Sequence, residues 1–270
     1  MTHPANQKSV ALVTGASSGI GATYAHRLAE RGMNLILVAR RRDRLEQLSS
    51  SLIDRFGVKV ETIVADLADP HDLSTVAKLV DSRPNLEMLV NNAGLGALGA
   101  SSSVDPQSVL QLVRVNVLAL TMLCLAASPR FREAGRGAII NIGSNIAFKA
   151  SPGAPAYCAS KAYVLAFTRS MQAEFAGTNV KVQLVMPGPV RTEFFGDAKA
   201  PLPEHLFMSP EDLVDCAMVA LDRGELICFP HLQDTAVWAR YENVREELVD
   251  ALHRTGLPAS RYGLVTEAAP

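Results

Sequence analysis

The feature that most constrains this chain is a rhythm. Short apolar runs alternate with segments of helical spacing from residue 10 to residue 186, and a glycine-rich turn follows the first run. The runs at 10–14, 35–39, 58–64, 86–90, 138–142 and 180–186 are too short to be helices and are apolar enough to be covered on both faces. Between them, 19–31, 41–56, 71–81, 104–127 and 157–176 carry helical periodicity, as with Leu45, Leu48 and Leu52. Strands that are buried on both faces and joined by helices imply parallel pairing through right-handed crossovers. The expectation is a single α/β domain spanning 1–270: a doubly wound, Rossmann-type parallel sheet of about seven strands with helices on both faces. A last strand at 226–229 completes that count.

Composition narrows the class. A net charge of −1 gives no basic surplus for nucleic acid and no acidic tail. The longest apolar stretch, 115–127, is interrupted by Asn116 and Thr121 and meets Pro129, short of the ~20 residues of a membrane span. Residues 1–9 are polar and do not read as a signal peptide. Four cysteines without a CxxC pair imply neither zinc nor disulfides, and scattered histidines without HExxH imply no metal site. These features together predict a cytoplasmic protein with buried, reduced thiols.

The turn reads Thr14-Gly15-Ala16-Ser17-Ser18-Gly19-Ile20-Gly21. Gly15 permits a sharp exit from the strand, Gly19 a close backbone approach to a pyrophosphate, and Gly21 tight helix–sheet packing. The helix that follows offers free N–H groups and a positive dipole end to phosphates. A plain strand-to-helix turn is the alternative. The second strand ends in Val38-Ala39-Arg40-Arg41-Arg42, with no carboxylate before Asp43. A carboxylate there would hold a ribose 2′-hydroxyl, whereas a guanidinium holds a 2′-phosphate. The sequence therefore favours NADP(H) over NAD(H), with Arg40 as first choice and Arg41 and Ser17 in support. Downstream, Tyr157 and Lys161 stand four apart in a helix, on one face. An ammonium one turn away from a phenol is expected to pull its pKa down from about 10, towards the range where it exchanges protons.

These motifs, in this order, resemble the short-chain dehydrogenase/reductase family over about 10–192: TGASSGIG, Asp66, Asn91-Asn92-Ala93-Gly94, Asn116, Ser144, Tyr157-Cys-Ala-Ser-Lys161 and Pro187-Gly188. The resemblance implies an oxidoreductase moving a hydride between nicotinamide and an alcohol, ketone or aldehyde. It makes Tyr157 the general acid/base, Ser144 the holder of the substrate oxygen, and Lys161 the partner of Tyr157 and of the nicotinamide ribose. Asn116 would hold a water linking Lys161 to solvent. The resemblance also puts Asp66 and Leu67 at the adenine, although Asp66 reads equally well as a turn aspartate. Asn92, Ala93 and Gly94 would pass under the cofactor, and Pro187, Gly188, Val190 and Thr192 would border the carboxamide. A homodimer or homotetramer through the helices around Asn116 and Tyr157 is implied as well.

The last third breaks the rhythm. Residues 189–208 read as a substrate lid whose Phe194, Phe195, Leu202, Leu206 and Phe207 suit either an apolar substrate or simple packing. Ser209, with Pro210 and two acidic residues behind it, opens a helix. Val237, Tyr241, Val244, Leu248 and Leu252 form a further helical stripe, and 260–270 reads as a loose tail. A dinucleotide-binding sensor without turnover is the rival reading, because a fold does not fix a function.

Overall fold

The computed structural model describes residues 8–195 and 202–264. Its sheet has seven strands, all parallel: β1 (Val10–Thr14), β2 (Asn34–Ala39), β3 (Val60–Val64), β4 (Leu86–Asn91), β5 (Gly137–Ile142), β6 (Val180–Val185) and β7 (Ile227–Cys228). They lie in the order β3-β2-β1-β4-β5-β6-β7. Strand order reverses between β1 and β4, so a crevice opens there at the carboxyl ends of the strands, where doubly wound sheets bind ligands.

Alternation along the strands divides the core. Ala11, Val13, Leu35 and Leu37 face one apolar cluster, with Tyr24 and Leu28 of α1 (Gly19–Glu30), Leu45 and Leu52 of α2 (Arg42–Phe56), and Leu213 and Leu221 of α7 (Pro210–Arg223). Val10, Leu12, Ile36 and Val38 face the other. There they meet Val76 of α3 (Pro70–Ser82), Leu123 and Phe131 of α5 (Leu120–Ala134), and Val164 of α6 (Pro155–Glu174). Period-two side chains on short strands leave no polar face, which is why the sheet needs helices on both sides.

Several boundaries differ from those expected. β3 starts at Val60 rather than at 58, and β7 shrinks to two residues. The helix expected at 104–127 is α4 (Pro106–Val113), a π-helical turn (Arg114–Ala119) and α5, running on to Ala134. Pro129 does not stop it. A proline removes one hydrogen bond and crowds the preceding turn, yet helices carry it where packing compensates, and here Ala127 and Phe131 on either side are fully buried. The resulting 29-residue helix, Pro106–Ala134, is by length and composition apolar enough to cross a membrane, which corrects the shorter estimate from sequence. Its inner face nevertheless packs in the core through Leu112, Leu123 and Phe131.

Ser209 caps α7 as expected, accepting from the Asp212 N–H at 3.0 Å. Residues up to Pro230 form one compact unit, and those from His231 another that holds α8 (Ala236–Leu252), none of whose residues is buried. In the segment expected as a loose tail, Ser260–Tyr262 make an exposed 3₁₀ turn, and 265–270 lie outside the described residues. Cys216 is exposed, contrary to the expectation of buried thiols, while Cys124 and Cys228 are buried.

Candidate active site

The crevice between β1 and β4 opens into a groove of about 1000 Å³. Along it lie Gly15, Ser17, Ser18, Gly19 and Ile20, then Arg40, Arg41, Asp66 and Leu67, then Asn92, Ala93 and Gly94. Ser144, Tyr157, Lys161, Pro187, Gly188, Val190 and Thr192 line the rest. Among the residues expected to hold the cofactor or substrate oxygen or to relay the proton, Gly21 and Asn116 do not line it.

The glycine turn is held from beneath. Gly15 and Gly19 have φ of 63° and 52°, a region that side chains disfavour. The Asn92 amide donates to the carbonyls of Thr14 (3.0 Å) and Gly15 (3.2 Å). A Cβ on Gly21 would collide with the Gly15 carbonyl and the Asn92 amide, so no larger residue fits there. The Thr14 hydroxyl donates to the Val90 carbonyl and accepts from the N–H groups of Asn92 (3.0 Å) and Ala93 (3.1 Å). Thr14 was missed from sequence because nothing marks a strand-end threonine as bonded to the neighbouring strand.

Ser18, at the N-cap of α1, is extended and makes no side-chain cap bond, and no acidic residue stands in that first turn. Asp69, Asp105 and Ser209, by contrast, cap α3, α4 and α7. The α1 terminus thus keeps its donors and its positive end facing the groove. A groove with glycine turn, uncapped helix and arginines fits a phosphate-bearing dinucleotide.

At the β2 exit, Arg41 rather than Arg40 is locked onto the turn. Its guanidinium donates to Ser17 Oγ (3.0 and 3.2 Å), Ser18 Oγ (2.7 Å) and Glu193 Oε2 (2.6 Å). Arg40 lines the groove and makes no side-chain hydrogen bond or ion pair among the described residues. Asp66 turns its Oδ1 back to the Ala68 N–H (3.0 Å), so the turn-aspartate reading holds without displacing it from the groove wall.

Tyr157 and Lys161 do share one face of α6. Lys161 is buried, its ammonium 5.8 Å from the Tyr157 ring centre and donating to the Ile142 carbonyl at 2.8 Å. Ser144, just past β5, hydrogen-bonds to Tyr157 and accepts from the Ile146 N–H (3.3 Å). The electrostatics correct the sequence-based expectation. Burial pushes the Tyr157 phenol up to about 12, outweighing the Ser144 hydrogen bond that pulls it down, and a charge on Cys158 would raise it further. Burial also draws Lys161 down to about 8. Within the protein's own framework the phenol is therefore kept protonated, because desolvation acts on both groups more strongly than their proximity does.

Asn116 sits in the π turn, and such turns often mark functional sites. Its Oδ1 accepts from the Leu95 N–H (2.8 Å), and its Nδ2 donates to the Leu95 carbonyl (2.9 Å) and to Ser160 Oγ (3.2 Å). Ser160 in turn donates to the Tyr157 carbonyl (2.8 Å). Asn116 thereby ties the loop after β4 to α6. Across the groove, Val190 bridges Met208, which anchors the base of the 189–208 excursion; 196–201 lie outside the described residues. Phe194 stands over Tyr157, with ring centres 5.5 Å apart. Away from the groove, Asp69, His71 and Asp72 gather closely enough to offer metal ligands, though Asp69 already caps α3.

Comparison with known proteins decides the family. The profile described as short chain dehydrogenase matches residues 9–202. The chain belongs to the short-chain dehydrogenase family. This dehydrogenase is similar to a short-chain dehydrogenase from Sphingobium yanoikuyae solved in complex with NADPH (40% identity, TM-score 0.90, covering 94% of this chain and all of that one). It also resembles a bulky-bulky ketone specific alcohol dehydrogenase from Comamonas testosteroni (37% identity, TM-score 0.87, 95% and 99% covered). Among curated relatives, the NADP-dependent 3-hydroxy acid dehydrogenase of Schizosaccharomyces pombe is 30% identical, over 86% of this chain and 92% of that protein. The dehydrogenase is an oxidoreductase acting on CH–OH and keto groups.

Proposed function

We propose that this dehydrogenase reduces ketones bearing apolar substituents, using NADPH. The observation that carries the reading is the meeting of Ser144, Tyr157 and Lys161 on one wall of a groove continuous with the glycine turn and Arg41. NADPH supplies the hydride. Arg41 and Ser17 hold the 2′-phosphate, the start of α1 with Ser18, Gly19 and Ile20 the pyrophosphate, and Asp66 with Leu67 the adenine. Ala93 and Gly94 keep the floor low, and Pro187, Gly188, Val190 and Thr192 border the nicotinamide end.

At the reacting end, Ser144 donates a hydrogen bond to the substrate oxygen and keeps it beside Tyr157. The phenol gives its proton to that oxygen as the carbonyl is reduced and takes it back in the reverse direction. A phenol held protonated by burial suits reduction, since the acid is present throughout neutral pH. Lys161 holds the ribose and orients Tyr157, and Asn116 fixes the loop at Leu95 and holds a water through which, by way of Lys161, Tyr157 regains its proton from solvent.

Leu98, Ile146, Phe194, Leu202 and Leu206 make the substrate end apolar. That lining, with the likeness to the Comamonas enzyme, favours ketones with two bulky apolar arms over small or charged ones. The protein is cytoplasmic and self-associates through the outer face of Pro106–Ala134, where Leu118, Met122 and Leu125 are exposed. The test is NADPH consumption over a ketone series from acetone to diaryl ketones. Higher kcat/KM for the bulky members supports the reading. Turnover confined to small or charged carbonyls overturns the substrate class, and no turnover on any carbonyl revives the sensor.

A further inference from the structure

We propose that Glu193 determines cofactor specificity by acting as an internal substitute for the cofactor's 2′-phosphate on Arg41. The inference rests on the reading of Arg41 as the phosphate-holding residue.

A guanidinium has five N–H donors. Arg41 directs Nε and Nη2 at Ser17 Oγ, Nη2 also at Ser18 Oγ, and Nη1 at Glu193 Oε2. The other carboxylate oxygen of Glu193 lies 3.4 Å from Arg44. One carboxylate thus bridges two arginines at the edge of the groove and is held well below the usual carboxylate range, first by the Arg41 hydrogen bond. It is anionic at neutral pH.

Carboxylate and phosphate oxygens compete for the same fork of donors. A phosphate can keep the serine hydroxyls, which turn to donate to it. It cannot keep Glu193 in place, because both are anions at one guanidinium. Binding of the 2′-phosphate therefore requires Glu193 to give up Arg41, whereas a cofactor with a free 2′-hydroxyl leaves the pair intact. Glu193 consequently sets how strongly the site prefers NADP(H), and it spares Arg41 an unpaired charge. Both partners are about half exposed, so the exchange meets little structural resistance. Phe194, the next residue, packs on Tyr157, so the phosphate end and the catalytic end are joined through adjacent side chains.

The test is calorimetric binding of 2′,5′-ADP and of 5′-ADP to the full chain, in the parent, Glu193→Gln and Arg41→Ala. Glu193→Gln should tighten 2′,5′-ADP roughly threefold or more, in line with the strength of an exposed ion pair, and leave 5′-ADP unchanged. Arg41→Ala should weaken 2′,5′-ADP selectively. Unchanged or weaker 2′,5′-ADP binding in Glu193→Gln, or equal tightening of both ligands, overturns the role of Glu193 while Arg41 stands. If Arg41→Ala leaves 2′,5′-ADP binding intact, the phosphate reading itself falls.

Discussion

Replacing Lys161 with methionine should remove activity and yet leave the protein as stable as the parent at pH 7, or more stable. The side chain is buried with one hydrogen bond among the described residues, to the Ile142 carbonyl, and burial holds its pKa at about 8 instead of 10.5. That difference, 10.5 minus about 8, at about 1.36 kcal/mol per pKa unit, means that charge on Lys161 costs the fold about 3 kcal/mol. The sign follows from linkage. The folded state binds the proton less tightly than the unfolded chain, so the penalty is full below pH 8 and disappears as pH rises through 10.5.

Methionine removes the penalty but leaves the Ile142 carbonyl without this partner, at a cost of about 1–3 kcal/mol. The net gain at pH 7 is about 0–2 kcal/mol, or up to several degrees in Tm. The sharper quantity is its pH dependence. Between pH 7 and pH 10 the advantage of Lys161→Met over the parent should shrink by about 2–3 kcal/mol, whatever the hydrogen bond is worth. Urea unfolding of both proteins at the two pH values measures it. A stability difference constant to within about 0.5 kcal/mol would refute the claim that burial of this ammonium strains the site.

Other outcomes follow from the same geometry. Tyr157 held near 12 predicts that ketone reduction is flat through neutral pH while alcohol oxidation climbs from pH 7 to pH 10, as paired pH–rate profiles would record. Thr14→Val strands two backbone N–H groups and should cost about 2–4 kcal/mol in thermal or urea unfolding, with Thr14→Ser restoring most of it. Gly96→Ala sets a Cβ 3.0 Å from the Phe194 ring, so the ring must shift; KM for bulky ketones should change several-fold while circular dichroism stays that of the parent.

How much of this was legible in the sequence depended on whether a constraint is local. The glycine turn could be read because φ and close approach are properties of a few consecutive residues, although what excludes a Cβ at Gly21 is the Gly15 carbonyl and the Asn92 amide rather than the sheet face its position suggested. The Tyr157–Lys161 pair could be read because four residues make one helical turn. The π turn at Asn116 could not, since it is specified by partners at Leu95 and Ser160 that come together only in the folded chain. That Arg41 and not Arg40 bonds Ser17 and Ser18 depends on which side chain the start of α2 aims at the turn. The pKa of Tyr157 came out opposite in sign because spacing reports the nearby ammonium but not the depth at which both groups are buried. Glu193 carried one signal that went unused, a lone acid two residues past Arg191 on a segment facing a basic run.

The most direct measurement is the turnover of Tyr157→Phe beside its NADPH affinity. Only one oxygen is lost, from a ring that stays packed under Phe194, so cofactor binding should match that of the parent while ketone reduction falls by about 10²–10⁴. Retained binding with turnover within a few-fold of the parent would mean that the proton comes from elsewhere.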